Sequence, residues 1–347
     1  MAFRPIILNG KHLKLHRSIK EPDFNSKVVL ATDTWNYVQM WLASNRQLKA
    51  DSRKEALFHW EQAKHFFNAS VSLPPISSPL TAYYATLNAT KTLLIVKSVQ
   101  HSDHHGVEGS NNTNAKALLS NVKVIFKRKG ILSGLCNYLV EATSGEYTLK
   151  DILYNLPCLH RAFILTFPSQ RELFIPIEKP EFVRKNRSTE SWLCAEITNK
   201  KYATKHTLSK LPSCFERDAG IPDKFVVRVK DRFPWKRGDV NNLKRLTNYH
   251  RKIREHLLYI HGRSVLWYIK RTGKIDGLIN RSCLTLRFAA LHRLSELARY
   301  HPQLLSRHFK AKHNWLLSEF IARSLHQYID EVSCEMTGKE ILVPGYR

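Results

Sequence analysis

The sequence predicts an α+β fold, with helical regions at both ends of a β-rich centre, from three observations. Apolar residues recur at helical spacing through the first hundred residues, alternate with polar ones in the middle of the chain, and return to helical spacing after Gly277. On this reading residues 1–105 form an N-terminal helical region and residues 106–275 a central β-rich region with one basic helix. Residues 276–347 form a C-terminal helical region. With 347 residues and 43% hydrophobic content, the chain can bury a substantial core and divide into two or three subdomains.

The run TWNYVQMWLASNRQL, Thr34 to Leu48, reads as the first helix. Asp51 has the chemistry of an N-cap for a second, with Lys54 and Glu55 in its first turn and Ala56, Leu57, Trp60, Ala63 and Phe67 on one stripe. Pro74, Pro75 and Pro79 end that helix, and Pro79 stands where a third can begin, through LTAYYATLNATKTLLIVK. Residues 101–117, polar and rich in Gly and Asn, read as a loop.

Beyond it, VKVIFKRKGILSGL alternates about Gly130 in the manner of a β-hairpin, and RAFILTF, ELFIPIE and KFVVRVKDRF read as strands. TLKDILYNL is a short helix among them. A longer helix is expected from about Val240 to His261. Leu246, Tyr249, His250, Ile253, Leu257 and Ile260 fall on one arc of it, and Lys244, Arg245, Arg251 and Lys252 on the other. SVLWYIKR is the last strand. Two helices follow, CLTLRFAALHRLSELARY and WLLSEFIARSLHQYIDEVSCEM, before VPGYR, where Pro344 and Gly345 stop any helix.

The N-terminus lacks the apolar stretch of a secretory signal, because Lys11, Lys14 and Arg17 interrupt it, and no apolar run reaches the ~20 residues that cross a bilayer. The six cysteines lie tens of residues apart with no CxxC, which fits a reducing compartment and gives no local spacing for zinc. A cytoplasmic protein without a membrane span is expected, and no cofactor is called for.

Charge is the strongest signal. Lys and Arg number 55 against 29 Asp and Glu, a formal charge of +26, and residues 201–300 alone hold 23 of these cations against 8 acids. Such a concentration repels itself unless an anion compensates it, and a phosphate backbone does so with release of counterions. Within the stretch RVKDRFPWKRGDVNNLKRLTNYHRKIR and the strand after it, the contact candidates are Arg228, Lys230, Arg232, Trp235, Lys236, Arg237, Lys244, Arg245, Arg251, Lys252, Arg254, Lys270 and Arg271. Phe233, Trp235 and Tyr249 could offer ring faces to unpaired bases, although Tyr249, on the apolar arc, is read as core.

Arg and His recur at helical separations: Arg245 with His250, Arg251 with His256, Arg287 with His292, and Arg307 with His313. Such a pair suits RNA cleavage, His moving a proton and Arg stabilising phosphorane charge, but residues five apart on a helix do not share a face. Asp103, His104 and His105 make a compact polar group, read as a solvated loop. There is no GxxxxGK[ST], GxSxG or HExxH, so ATP hydrolysis, α/β-hydrolase and zincin chemistry lose their usual support.

In SPLTAYYATLNATKTLL, the HHGV that follows, LHRLSELARYHP, NWLLSEF, YIDEVSCEMTG and VPGYR, the chain resembles the YaaC-like family of bacterial proteins, from about Trp35 onward. The resemblance implies an architecture and a bacterial cytoplasm and carries over no catalytic residue. The helices around Tyr83, Tyr84, Asn88 and Lys91 are also similar to HEPN-type helical domains, many of which are ribonucleases or nucleic-acid-linked modules of phage-defence systems. Of their RNxxxH motif only the loose form, Arg287 with His292, is present.

Three functions follow as expectations. The first is a nucleic-acid-binding protein, for DNA or RNA, that grips phosphates through the 201–300 surface, alone, as a homo-oligomer or within a larger defence assembly. The second is a metal-independent ribonuclease using Arg287 and His292. The third is an adaptor that docks an acidic protein.

Overall fold

The structure, a computed structural model, describes residues 3–110, 116–262 and 264–343. Four short strands come first: β1 (Phe3–Pro5), β2 (Ile7–Leu8), β3 (Lys11–His12) and β4 (Val29–Leu30). Helices α1 (Thr34–Ser44), α2 (Ala50–Ser72) and α3 (Pro79–Val96) follow where three helices are expected, but α1 stops four residues short of Leu48 and α2 begins at Ala50, so Lys49 holds its N-cap position and Asp51 lies in its first turn. Asp33 caps α1 by accepting from the Trp35 amide at 2.9 Å, and Pro79 opens α3, where a missing N–H costs nothing. Ala82, Ala85 and Ala89 keep α3 slim enough to pass through the middle of the helical core.

Next come β5 (Val107–Glu108), β6 (Lys123–Phe126), α4 (Ile131–Leu139), β7 (Gly145–Thr148), α5 (Leu149–Tyr154) and α6 (His160–Thr166). Two expectations fail here. The hairpin about Gly130 is a turn from β6 into helix α4. Gly130 (φ +125°) lies so close to Gly106 that an added Cβ would come within 2.4 Å of the Gly106 nitrogen, so it redirects the chain where a hairpin would return it. RAFILTF is helix α6, because Ala162 and Phe163 pack into the helical core after the Pro157 turn and tertiary burial overrides strand propensity.

The central sheet is built from β8 (Phe174–Lys185), β9 (Glu190–Glu196), β10 (Phe215–Arg217), β11 (Val226–Val229), β12 (Phe233–Pro234), β13 (Leu257–Ile260) and β14 (Leu266–Lys270), with helix α7 (Lys205–Leu208) after β9 and α8 (Asn242–Arg254) after β12. Its order is β10-β11-β9-β8-β14-β13, all antiparallel, with β1 added to β8 and β12 to β9. The basic helix is thus shorter than expected. Leu257 to Ile260 satisfy a helical wheel, but they alternate between the two faces of the sheet and pair with β14.

Helices α9 (Cys283–Tyr300), α10 (Pro302–Phe309) and α11 (Asn314–Thr337) return the chain to the helical body, and β15 (Ile341–Leu342) pairs with β4. Gly338, at φ +68°, ends α11. Of the closing VPGYR only Val343 lies within the described residues. Among the described residues no helix is long and apolar enough to cross a membrane.

The mixed architecture of helices at both ends and a curled antiparallel sheet between them is the expected α+β class. One core is helical, formed by α1–α3, α9 and α11, and it takes in the sheet face that carries Phe174 and Tyr268. The second lies between the opposite sheet face and α8, with Ile175, Ile177, Trp267 and Ile269 against Leu246, Tyr249 and Ile253.

A buried polar seam joins the two. Arg17, 2% exposed, donates to Asp330 of α11 at 2.6 Å and to the Ile341 carbonyl at 2.7 Å. Tyr259 of β13 donates to the other Asp330 oxygen at 2.8 Å. Neutralising Asp330 with Asp330→Ala leaves the Arg17 charge under-compensated in the interior, and a loss of about 3–5 kcal/mol is expected in chemical denaturation. A loss below about 1 kcal/mol would show the seam to be incidental.

Candidate nucleic-acid interface

The cations of residues 201–300 do not form one surface. Helix α8 covers one face of the sheet, and its solvent side presents Lys244, Arg251 and Lys252, with Lys236 and Arg237 just before it. Tyr249 is buried at 5% exposure, as read from the apolar arc. Arg228 and Arg232 lie across the sheet from α8, over the ring of Trp192 at 5.6 and 4.5 Å. Both are held by Glu216, at 2.8 Å from Arg228 and 3.6 Å from Arg232, and Arg245 is held by Asp239 at 2.7 Å. The strand and the helix therefore offer their charge in different directions.

Three contact candidates are interior groups. Arg254, 3% exposed, donates to the carbonyls of His16, Arg17 and Leu257, where it fixes the N-terminal segment against α8. Lys270, 6% exposed, donates to the Ile279 carbonyl at 2.6 Å. Trp235 packs in the second core beside Phe233 and donates its backbone N–H to Thr189 at 2.8 Å. None of the three presents a side chain that a phosphate could reach. Lys230, Lys236, Arg237, Lys244, Arg251 and Lys252 are exposed. Of these, Arg251 donates to the Lys20 carbonyl.

The ribonuclease pair is likewise interior and divided. Arg287 is fully buried and donates to Glu331 at 2.7 Å, whereas His292, 2% exposed, lies edge-on to Tyr83 at 4.9 Å and near His105 at 5.1 Å. Burial, helped by His105 and Arg293, lowers the His292 pKa to about 3, so its ring stays neutral. The five-residue spacing sends the two side chains to different neighbours, and no reacting phosphate has access to both. His105 is not simply solvated, since its Nδ1 meets the Tyr83 hydroxyl at 2.6 Å, and Asp103 pairs with Lys91 at 3.3 Å. Among the described residues no three His, Cys, Asp or Glu side chains converge as a metal group.

A cationic groove of about 720 Å³ lies at the ends of β8 and β14. Arg171 approaches from the loop before β8, Lys201 and Lys210 from the stretch around α7, and Arg271 and Lys274 from the turn after β14. These segments are laced by backbone hydrogen bonds, Arg271 N–H to Leu173 O at 2.8 Å and Thr272 N–H to Lys210 O at 3.2 Å. His206 also lines the groove. The one carboxylate among its lining residues is Glu172, 3.1 Å from Lys201 and an acceptor for the Tyr202 hydroxyl. Burial would raise the Glu172 pKa, but those two partners hold it below the ordinary value, so it is ionised. Arg271 Nε is buried and has no hydrogen-bond partner among the described residues.

Only Arg271 of this set was a contact candidate. Lys201, Lys210 and Lys274 fall within the basic residues 201–300 but outside the run Arg228–Arg254, while Arg171 lies outside both. A further shallow hollow, about 790 Å³, contains Arg4, Arg184 and Arg187, with Arg4 and Arg184 directly opposite across the β1–β8 pair. Like charges so placed are destabilising, and sequence reading had no means to pair those strands.

A family model described as YaaC-like Protein matches residues 24–336. The chain belongs to the YaaC-like family. No curated protein and no solved structure matches it, and nothing among these comparisons supports the HEPN-type likeness of the first helices.

The buried amine of this family member makes a pH signature. Desolvation lowers the Lys270 pKa from 10.5 to about 8, against smaller opposing effects of Cys283 and Glu141. Between those values the unfolded chain binds a proton that the folded one does not, so this contribution to stability rises with pH and is smallest below pH 8. Relative to Lys270→Met, wild-type stability should gain about 2 kcal/mol between pH 7.5 and 9.5 in denaturation titrations. A constant difference would mean that the amine is solvated.

Proposed function

We propose that this YaaC-like protein binds nucleic acid in the cytoplasm, through phosphate contacts in the groove lined by Arg171, Lys201, Lys210, Arg271 and Lys274. The observation that carries the reading is the convergence of five cations from three chain segments on one concavity with a single carboxylate. Each pair of like charges a few ångströms apart in water costs about 1 kcal/mol, and a polyanion reverses the sign of that term while releasing its own counterions. The exposed outer side of α8 adds a positive field that steers a polyanion toward the molecule. All six cysteines are free thiols, in keeping with a reducing compartment.

No reaction is part of this proposal, since the Arg287 and His292 pair lacks access. Arg171→Glu with Lys274→Glu, both at exposed positions, tests the groove. Each lost phosphate contact should flatten the plot of log affinity against log salt by about 0.7 on single strands and 0.9 on duplex, and binding at low salt should fall at least tenfold. Lys244→Glu with Lys252→Glu should have the smaller effect. If the α8 pair abolishes binding and the groove pair does not, the interface lies on α8. If no DNA or RNA binds even at low salt, the reading falls.

A further inference from the structure

Beside the groove lies a second hollow of about 510 Å³, of different chemistry. Its lining includes Trp315 of α11, Tyr268 of β14 and Tyr202, together with Asn199, His160 and Arg161. Trp315 is 51% exposed, an unusual position for the largest apolar side chain, and it makes no ring contact among the described residues. Two things tie the hollow to the groove. Lys201, on the groove wall, is followed at once by Tyr202, on the wall of the hollow, and the Tyr202 hydroxyl donates to groove-lining Glu172.

The polar groups suit the edge of a ring that carries both donors and acceptors. His160 Nδ1 lies 2.8 Å from the Pro157 carbonyl. That oxygen only accepts, so Nδ1 carries the proton and Nε2 is left as an acceptor. Burial lowers the His160 pKa, which keeps that lone pair available. Asn199 is exposed and supplies its amide, while its Oδ1 accepts from the Lys201 N–H at 3.0 Å and keeps one lone pair. Exposed Arg161 extends the cationic lining from the groove to the edge of the hollow.

We infer that the hollow receives an unpaired base of a single strand whose phosphates lie in the neighbouring groove, with Trp315 as the stacking platform. The inference rests on the groove being a phosphate-binding site and adds that the ligand is single-stranded. A base still paired in a duplex has no free face or edge to offer the hollow, whereas an unpaired one stacks on an aromatic ring whatever its identity. Continuity of the two sites through Glu172 and Tyr202 is what selects a nucleotide strand over a free aromatic molecule.

The test uses the full chain and three 12-mers, compared across the same series of salt concentrations: oligodeoxythymidine, the same backbone with abasic residues throughout, and a duplex. Oligodeoxythymidine should bind at least tenfold more tightly than the abasic strand. Trp315→Ala should weaken oligodeoxythymidine binding about five- to hundredfold, leave abasic binding and the salt slope unchanged, and be rescued largely by Trp315→Phe. Equal binding of the two single strands, or no effect of Trp315→Ala on either, would overturn the base pocket and leave the phosphate groove standing. Failure of all three 12-mers to bind at low salt would overturn both.

Discussion

Two buried arginines hold this fold together. Arg17 and Arg254 lie where the N-terminal segment, α8, β13 and α11 meet, and between them they join the helical core to the sheet core. Glu335 completes the junction by accepting from the backbone N–H groups of Ile19 and Lys20 and from the Tyr138 hydroxyl. Interior charges of this kind cost several kcal/mol each to desolvate, and here hydrogen bonds to carbonyls and carboxylates offset most of that cost, although Arg17 Nε has only the Glu340 carboxylate at 3.6 Å. The N-terminal segment between β3 and β4 is fixed by those hydrogen bonds together with Leu13 and Leu15, which are buried in the second core. Its His16 stays neutral because burial and the two adjacent arginines lower its pKa to about 3.

This seam changes what a net charge of +26 means. Arg254, Arg287 and Lys270 look like surface cations in the sequence, yet each is an internal donor whose acceptors are carbonyls or α11 carboxylates. A further group, Arg228, Arg232 and Arg245, is paired with Glu216, Asp218 and Asp239. Of the cations that remain at least partly exposed, one set gathers in the groove, another on the outer side of α8, and a third around Arg4, Arg184 and Arg187. Position in the fold, and not density along the chain, decides which cations are available.

The class of the fold was legible because long amphipathic segments carry their period plainly: α1–α3, α9 and α11 stand where apolar spacing puts them. It failed where a short apolar run satisfies two periods. Leu257 to Ile260 fit a wheel and a strand equally, and only pairing with β14 decides between them. At Gly130 the deciding contact is with Gly106, which lies outside the hairpin-like run. Of the site, the sequence showed the charge but not its assembly. Arg171, Lys210 and Arg271 are about forty and sixty residues apart in the chain and meet because the ends of β8 and β14 are neighbours in the sheet. Trp315 carried no signal at all, since an aromatic residue at the start of a helix is ordinarily core.

Glu172 links the groove to the hollow beside it. Alone, a carboxylate in the wall of a groove proposed to hold phosphates would oppose them. Here Lys201 and the Tyr202 hydroxyl share its charge, so its field is largely spent locally, and Arg171, Lys210, Arg271 and Lys274 face the groove without a carboxylate of their own. The same two bonds fix the direction of the 199–202 stretch, which carries Asn199 and Tyr202 into the hollow. An acid that at first weakens the case for an anion site is thus a brace between the two concavities, and on the proposed reading it would set the spacing between a phosphate in the groove and a base in the hollow.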